Sequence, residues 1–168
     1  MPGRALIPAL VEGALRVAAA LMVLILSGLA IDTLLRFAPY LQGPWNWVGI
    51  IPIVFGVVLE VVGTVAFWRY GEGTPHPAAP PRWLVCEGPY AYTRNPLYLA
   101  RFTILLGSSL LLGSIGVLLL LGGLILSVQF VLLPREERRL ASRHGRAYEE
   151  YSTRVGRWIG IRRPGRRG

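Results

Sequence analysis

Long apolar runs separated by short polar stretches dominate the chain. The first run covers residues 17–31 and extends back toward residue 6, and the second covers 47–68. The third, 97–133, is almost continuously apolar over 37 residues. Since a helix needs about 20 residues to cross the hydrocarbon core, this run predicts two helices in a hairpin that turns near Gly113. The pattern therefore predicts an all-α, polytopic membrane protein with about four transmembrane helices.

The polar stretch 82–98 is rich in aromatic and hydrogen-bonding groups for a connection between two spans. It holds three tyrosines and two arginines. The preceding residues 69–83 contain four prolines, which exclude a regular helix and predict an extended chain near the membrane surface. Asn95 and Pro96 are typical of the cap and the first residue of a helix, so they predict the start of the third span.

The tail after the last apolar run is polar but periodic. Apolar and aromatic residues recur at three- and four-residue steps, which predicts an amphipathic helix over 134–152. Pro134 either ends the preceding span or starts this helix. The chain then divides into an N-terminal membrane anchor, 1–68, and a core, 69–168, which contains the stretch 82–98, the hairpin 97–133 and the tail helix 134–152.

The distribution of basic residues predicts how the chain is oriented in the membrane. All 18 basic residues are arginines, the net charge is +9, and 53% of the 168 residues are hydrophobic. Nucleic-acid binding would suit such a charge, but arginines crowded beside apolar spans are typical of the cytoplasmic face of a membrane protein. Eleven arginines follow Leu133, so we expect both termini in the cytoplasm. We expect a multi-pass integral membrane protein in contact with membrane lipids, and no nucleic-acid partner.

Cysteine and histidine offer little chemistry. Cys86 is the one cysteine, so no intramolecular disulfide forms, and a small buried residue is its expected role. His76 and His144 lie too far apart in sequence to form a metal-ligand motif, so we expect no metal site. The oligomeric state has no signature in the sequence.

Two charged residues lie inside the apolar runs. A carboxylate is costly within a span, so Glu60 either lines a polar site or is a protonated, hydrogen-bonded packing residue, and both interpretations stay open. Arg101 lies about one helical turn inside the third span and either serves a site or snorkels toward the headgroups.

The topology brings two polar regions to one side of the membrane. The stretch 82–98 and the acidic pair Glu136–Glu137 flank the hairpin, so they can meet at its cytoplasmic end. The acids can favour a helix N-terminus, or one carboxylate can turn into a pocket and bind a cation. The three tyrosines of the stretch either form an interfacial belt or line that pocket.

Three motifs, in order along the chain, carry a family resemblance. They are Gly88-Pro89-Tyr90-Ala91-Tyr92-Thr93-Arg94-Asn95-Pro96-Leu97-Tyr98, then Glu136-Glu137-x-x-Leu140, then Gly145-x-x-Tyr148-x-x-Tyr151. Together they resemble the isoprenylcysteine carboxyl methyltransferase family, part of a wider group of integral-membrane methyltransferases that includes phospholipid N-methyltransferases. The resemblance covers roughly residues 70–160, and three motifs at plausible spacing make it specific.

The resemblance implies S-adenosylmethionine as cofactor, bound in a cytoplasm-facing pocket between the stretch 82–98 and the tail helix. Glu136 would approach the amino-acid end of the cofactor, Glu137 would support it, and Arg94 or Arg101 would suit the carboxylate. Glu136, Glu137 and Arg94 are the implied catalytic residues. Asn95 stands where many members have histidine, and it is given no acid–base role because an amide cannot transfer a proton near neutral pH. The implied cofactor-binding residues are Arg82, Trp83, Leu84, Val85, Tyr90, Asn95, Pro96, Leu97, Tyr98 and Glu136.

The implied activity is methyl transfer to a lipophilic small molecule or lipid that enters from the bilayer. The resemblance favours a prenylcysteine-like or other isoprenoid carboxylate, and such an acceptor needs no general base. A phospholipid amine is the alternative within the enzyme class, and it requires a base or prior deprotonation. Outside that class, the alternative is a non-catalytic membrane scaffold or transporter component whose basic tail binds lipid or a partner.

Overall fold

The computed structural model describes residues 3–71 and 82–160, and within these residues all regular structure is helical. The extended run is expected over 69–83, but the helix that precedes it continues through Gly71, so residues 69–71 are helical. Residues 72–81 of that run and the arginines at 162–167 lie outside the described residues. Short 3₁₀ turns lie at Gly43–Gly49 and Gly88–Ala91, and a π-helical turn lies at Val128–Leu132. The helices are α1 (Gly3–Leu35), α2 (Ile50–Gly71), α3 (Pro96–Leu112), α4 (Ile115–Ser127), α5 (Leu133–His144) and α6 (Arg146–Arg154).

Length and composition identify the membrane-spanning segments. Within the part of the chain that the structure describes, three helical segments are long and apolar enough to cross a membrane: Val11–Leu35, Gly43–Gly71 and Ile115–His144. Helix α3 is apolar but has 17 residues, a length of about 25 Å. Three of the four expected crossings are therefore supported, and a crossing by α3 stays a prediction.

Helix α3 lies at the centre of the bundle. It packs along α2 on one side and against α4 on the other, and α1 packs mainly against α4. The turn between α3 and α4 is made by Gly113, whose φ of 62° is left-handed, and by Ser114, whose hydroxyl caps α4 by accepting the Val117 N–H at 3.0 Å. The expected hairpin turn near Gly113 is confirmed.

Helix α1 is attached to α4 by one carboxylate. Both oxygens of Asp32 accept hydrogen bonds at the start of α4, from the Ser114 hydroxyl at 2.5 Å and from the Gly116 N–H at 2.6 Å. An anion is stabilised there because the first N–H groups of a helix lack intrahelical partners. Close to this contact Gly28 meets α4, and a Cβ added at Gly28 would lie 2.5 Å from the Val117 nitrogen.

The tail differs from the single helix expected over 134–152. From α4 through the π-helical turn to α5 the helix is uninterrupted, since Leu133 donates to the Val128 carbonyl and Pro134 falls in the first turn of α5. A proline is tolerated there. The break comes instead at Gly145, whose φ of 51° and ψ of −127° are accessible mainly to glycine, so α5 and α6 are separate helices.

Two glycines of α4 test the α1–α4 contact. A Cβ added at Gly116 would collide with the Gly28 carbonyl oxygen, whereas one added at Gly122 would meet no atom within 4 Å. We expect Gly116→Ala to destabilise the protein by about 1–3 kcal/mol through this collision. Gly122→Ala should leave stability unchanged or raise it by up to about 1 kcal/mol. Thermal unfolding in detergent measures both, and equal melting temperatures would contradict the packing of α1 on α4.

Candidate functional site

The stretch before α3 is held between α2 and the tail. Val85 and Tyr90 pack against α2, where the Tyr90 ring meets Phe67 edge to face with 5.1 Å between centroids. Leu84 and Cys86 pack against the tyrosines of α6. Because this stretch lies outside any α-helix, the backbone groups around Leu84 and Val85 make no helical hydrogen bonds. The expected meeting of the stretch and the tail is observed.

The C-terminal segment 155–160 folds back onto the start of α3. Arg94 donates its backbone N–H to the Gly156 carbonyl at 3.0 Å, and the side-chain amide of Asn95 donates to the Arg157 carbonyl at 2.9 Å. Asn95 therefore attaches the segment to the helix start. No acid–base chemistry is needed for this role, and histidine is not required for it.

Glu137 joins this segment to α5 and α3. Its carboxylate pairs with Arg94 at 3.2 Å and accepts two hydrogen bonds from Arg157, at 3.0 and 2.7 Å. Hydrogen bonding to Glu137 raises the pKa of Arg157. Arg94 also donates to the Tyr148 hydroxyl at 3.0 Å, and its buried Nε has no partner among the described residues. Glu137 and Arg94 are thus parts of one ion network.

A second group of polar side chains connects α5 with α2 across the bundle. The Tyr98 hydroxyl donates to Glu136 at 2.7 Å, and the Arg101 guanidinium lies 5.8 Å from the centre of the Tyr98 ring. Arg101 in turn pairs with Glu60 at 3.0 Å. One row of side chains therefore connects the exposed carboxylate of Glu136 with the carboxylate of Glu60 inside α2.

Tyr90 is buried between α2 and α6, where its ring meets Phe67 and its backbone carbonyl accepts from the Tyr151 hydroxyl at 2.7 Å. Burial is the main cause of the raised pKa of its phenol, and Tyr151 and the charges of Glu60 and Glu136 raise it further while Arg101 lowers it. The phenol therefore stays protonated near neutral pH and is a hydrogen-bond donor.

The remaining residues predicted to bind the cofactor differ in how far they are exposed. Trp83 is 63% exposed, and Arg82 is exposed while its backbone N–H bonds the Gly71 carbonyl at 2.8 Å. Pro96 is buried at the start of α3, and Leu97 packs toward Gly63 of α2. The structure joins Tyr98 to Glu136, packs Leu84 against α6, and packs Val85 and Tyr90 against α2. It places Arg94, Asn95 and Glu137 in the contacts of the C-terminal segment.

Cys86 conforms to the role of a small, partly buried residue. Burial first, and the neighbouring Glu87 second, raise the pKa of its thiol, although Arg154 lowers it. The neutral thiol is therefore the prevailing form near neutral pH, and it is a poor nucleophile. Among the described residues no group of three or more histidine, cysteine, aspartate or glutamate side chains is arranged to hold a metal ion.

Sequence reasoning missed two features of this region. The first is the ion pair between Glu60 and Arg101, although two lone charges of opposite sign in neighbouring apolar runs are a usable signal for such a pair. The second is the C-terminal segment, in which the Trp158 indole donates to Gln129 of the π-helical turn at 2.8 Å and Arg157 binds Glu137. No pattern in the sequence singles out these two contacts.

Comparison with known proteins gives one result. The model of the phospholipid methyltransferase family matches residues 45–147, which is more than half of the chain and extends from the turn before α2 into α6. No curated protein and no solved structure matches the chain. The match supports the wider group of membrane methyltransferases that the motifs resemble. It leaves the isoprenylcysteine carboxyl methyltransferase branch a prediction.

Replacing the carboxylate of Glu137 tests the ion network. Glu137→Gln leaves Arg94 and Arg157 without their anion, and we expect a loss of about 2–3 kcal/mol of stability because these side chains are largely buried. Residues 156–160 should then exchange their amide hydrogens faster, as measured by mass spectrometry. Glu149→Gln, an exposed change on α6, is the control. Unchanged protection of 156–160 in the Glu137 variant would contradict this role.

Proposed function

Since the chain belongs to the phospholipid methyltransferase family and has helices that can cross a membrane, it is an integral-membrane methyltransferase, and we propose that it transfers a methyl group from S-adenosylmethionine to a lipophilic acceptor in the bilayer. The observation that carries this proposal is the bond of 2.7 Å between Tyr98 and Glu136. It holds an exposed carboxylate beside the stretch that the motifs assign to the cofactor.

The residues of the site fit the chemistry of this cofactor. S-adenosylmethionine carries three charged groups. Its ammonium is bound by an anion, and its carboxylate by a hydrogen-bond donor. Its sulfonium is bound by aromatic rings or by oxygen atoms. Glu136 supplies the anion, since it pairs with no arginine of residues 3–71 and 82–160. The buried Nε–H of Arg94, unpartnered among the described residues, is a donor for the carboxylate. The backbone at Leu84–Val85, which lies outside any helix, offers peptide groups to an adenine, and Tyr90 offers an aromatic ring.

Each of these residues has a positional role. Glu136 binds the ammonium, and the Tyr98 hydroxyl fixes the orientation of that carboxylate. Glu137 and Asn95 hold the C-terminal segment over the start of α3, so they act as positioning residues. When bound, the cofactor supplies an electrophilic methyl group, whose bond to sulfur breaks as a lone pair of the acceptor bonds the carbon, leaving S-adenosylhomocysteine. Proximity and orientation supply several kcal/mol of the acceleration, about 7 or more in favourable cases.

An isoprenoid or prenylcysteine-like carboxylate is the acceptor that the site chemistry favours. Its oxygen is nucleophilic without a base. Of the candidate bases Glu60, Glu137 and His144, the two carboxylates are paired with arginines, Glu137 with two and Glu60 with Arg101. The match to the phospholipid methyltransferase family favours a second candidate, a phospholipid amine. That acceptor must lose a proton before or during methyl transfer.

The orientation proposed for the chain places this site at the cytoplasmic surface. The loop between α1 and α2 holds a single arginine, Arg36, whereas the described residues after Leu133 hold seven. Exposed tryptophans lie at both ends of α2, Trp45 and Trp47 before it and Trp68 near its C-terminus, as expected for the two faces of a bilayer. Both termini are then cytoplasmic, and the cofactor enters from the cytoplasm.

Binding of S-adenosylhomocysteine to the detergent-purified protein tests the proposal. Titration calorimetry should show saturable binding, and Glu136→Gln should weaken it about tenfold or more, because the charge on the ammonium loses its anion. Glu149→Gln, the same change on an exposed residue of α6, should leave the dissociation constant unchanged. Absence of saturable binding in folded protein would favour the scaffold or transporter alternative. Equal effects of the two variants would refute the placement of the pocket.

A further inference from the structure

Glu60 lies on the face of α2 that packs against α3. Gly56 and Gly63, one turn away on either side of it, approach α3 closely. A Cβ added at Gly56 would lie 2.6 Å from the Ala100 carbonyl oxygen, and one added at Gly63 would lie 2.8 Å from the Leu97 side chain. Residues four and three apart share a helix face. Glu60 is therefore held at the contact between the two helices.

The Glu60–Arg101 pair is only partly satisfied by its surroundings. One bond of 3.0 Å joins Arg101 to Glu60. The second carboxylate oxygen of Glu60 and the Nε of Arg101 are buried and have no partner among the described residues. Burial of two charges is costly, and the cost is recovered only when the remaining polar atoms are also satisfied. An ion pair that served packing alone would not need to leave a donor and an acceptor unused.

Both side chains of this pair are partly exposed, Glu60 by 18% and Arg101 by 27%, while their two unpartnered atoms are buried. Contact of these charges with lipid tails would be costly, so the exposed part of the pair calls for a polar partner. Arg101 lies five residues after Pro96, about 7 Å along α3, so the pair lies deeper in the bundle than Tyr98, whose hydroxyl binds Glu136.

We propose that Glu60 and Arg101 bind the polar head of the methyl acceptor and set its position beside the cofactor. This inference rests on the proposed function, and it extends that function by naming residues that select the acceptor. A guanidinium takes an anionic oxygen, and a carboxylate takes an N–H or O–H donor. The pair therefore fits a head that carries an anionic oxygen and an N–H donor close together.

Both candidate acceptors have this combination. An N-acylated prenylcysteine has a carboxylate next to an amide N–H, and a phosphoethanolamine head has a phosphate next to an ammonium. Phosphatidylcholine lacks the N–H, and the methyl ester of a prenylcysteine lacks the anionic oxygen. These four compounds form two matched pairs of probes, each differing in one of the groups that the ion pair is inferred to bind.

Lipid binding to the purified full chain in detergent tests the inference without turnover. Native mass spectrometry would measure retention of dioleoyl phosphatidylethanolamine against dioleoyl phosphatidylcholine, and of N-acetyl-S-farnesylcysteine against its methyl ester. We expect the wild type to prefer the first member of one pair. Glu60→Gln and Arg101→Gln should each reduce that preference about tenfold or more, because a charged hydrogen bond is lost. The dissociation constant of S-adenosylhomocysteine should stay within about twofold of its wild-type value, a change of under about half a kcal/mol.

Control variants separate binding from folding. Arg146→Gln and Glu150→Gln remove the charges of an exposed pair on α6 and should change neither measurement. The double variant Glu60→Arg/Arg101→Glu keeps an ion pair but exchanges the positions of its charges. It should recover the melting temperature lost in the single variants without recovering the lipid preference.

Three results would overturn the inference. The first is a wild type with no preference in either pair of probes. The second is recovery of the preference in the charge-exchanged double variant, since only a packing role would be indifferent to the positions of the charges. The third is that Glu60→Gln and Arg101→Gln weaken the binding of S-adenosylhomocysteine as much as they weaken the binding of lipid. The pair would then bind the cofactor and not the acceptor. Failure of the wild type to bind S-adenosylhomocysteine would instead refute the proposed function.

Discussion

The carboxylate of Glu137 supports most of the polar end of the molecule. It binds Arg94 before α3 and Arg157 in the C-terminal segment at once, so it joins three parts of the chain that are far apart in sequence. With that segment in place, the Arg157 carbonyl accepts from Asn95 and the Trp158 indole reaches the π-helical turn. The two arginines share this one carboxylate, and hydrogen bonds from Arg157 to Glu137 and from Arg94 to the Tyr148 hydroxyl offset part of the cost of burying the charges.

The two neighbouring acids have different roles: Glu137 holds the fold together, and Glu136 is the proposed ligand of the cofactor. Glu137, which has two arginine partners, holds the tail, while its neighbour Glu136 is exposed and accepts a hydrogen bond from the Tyr98 hydroxyl. Adjacent residues on a helix point about 100° apart, so one acid can face the C-terminal segment while the other faces the site. The inferred acceptor site at Glu60 and Arg101 then lies on the bilayer side of Glu136, so a soluble cofactor and a lipid can approach from opposite directions.

Local chemistry explains which parts of the fold could be predicted from the sequence. The hairpin turn follows from the length of the apolar run and from Gly113, and the meeting of the stretch with the tail follows from the distribution of arginines. The path through Pro134 could not be predicted, because a proline at a helix start and one that ends a helix look alike until the preceding π-helical turn is known. Asn95 resembled a pocket residue, but its partner is a backbone carbonyl 62 residues away, and no local pattern reports such a contact.

The position of bound S-adenosylhomocysteine tests the central claim most directly. An experimental structure of the complex in detergent or nanodiscs should place its ammonium within hydrogen-bonding distance of Glu136, about 3 Å, and its adenine beside Leu84 and Val85. The C-terminal segment should still contact Asn95 through the Arg157 carbonyl. Density for the ligand elsewhere, with Glu136 still bonded only to Tyr98, would contradict the account.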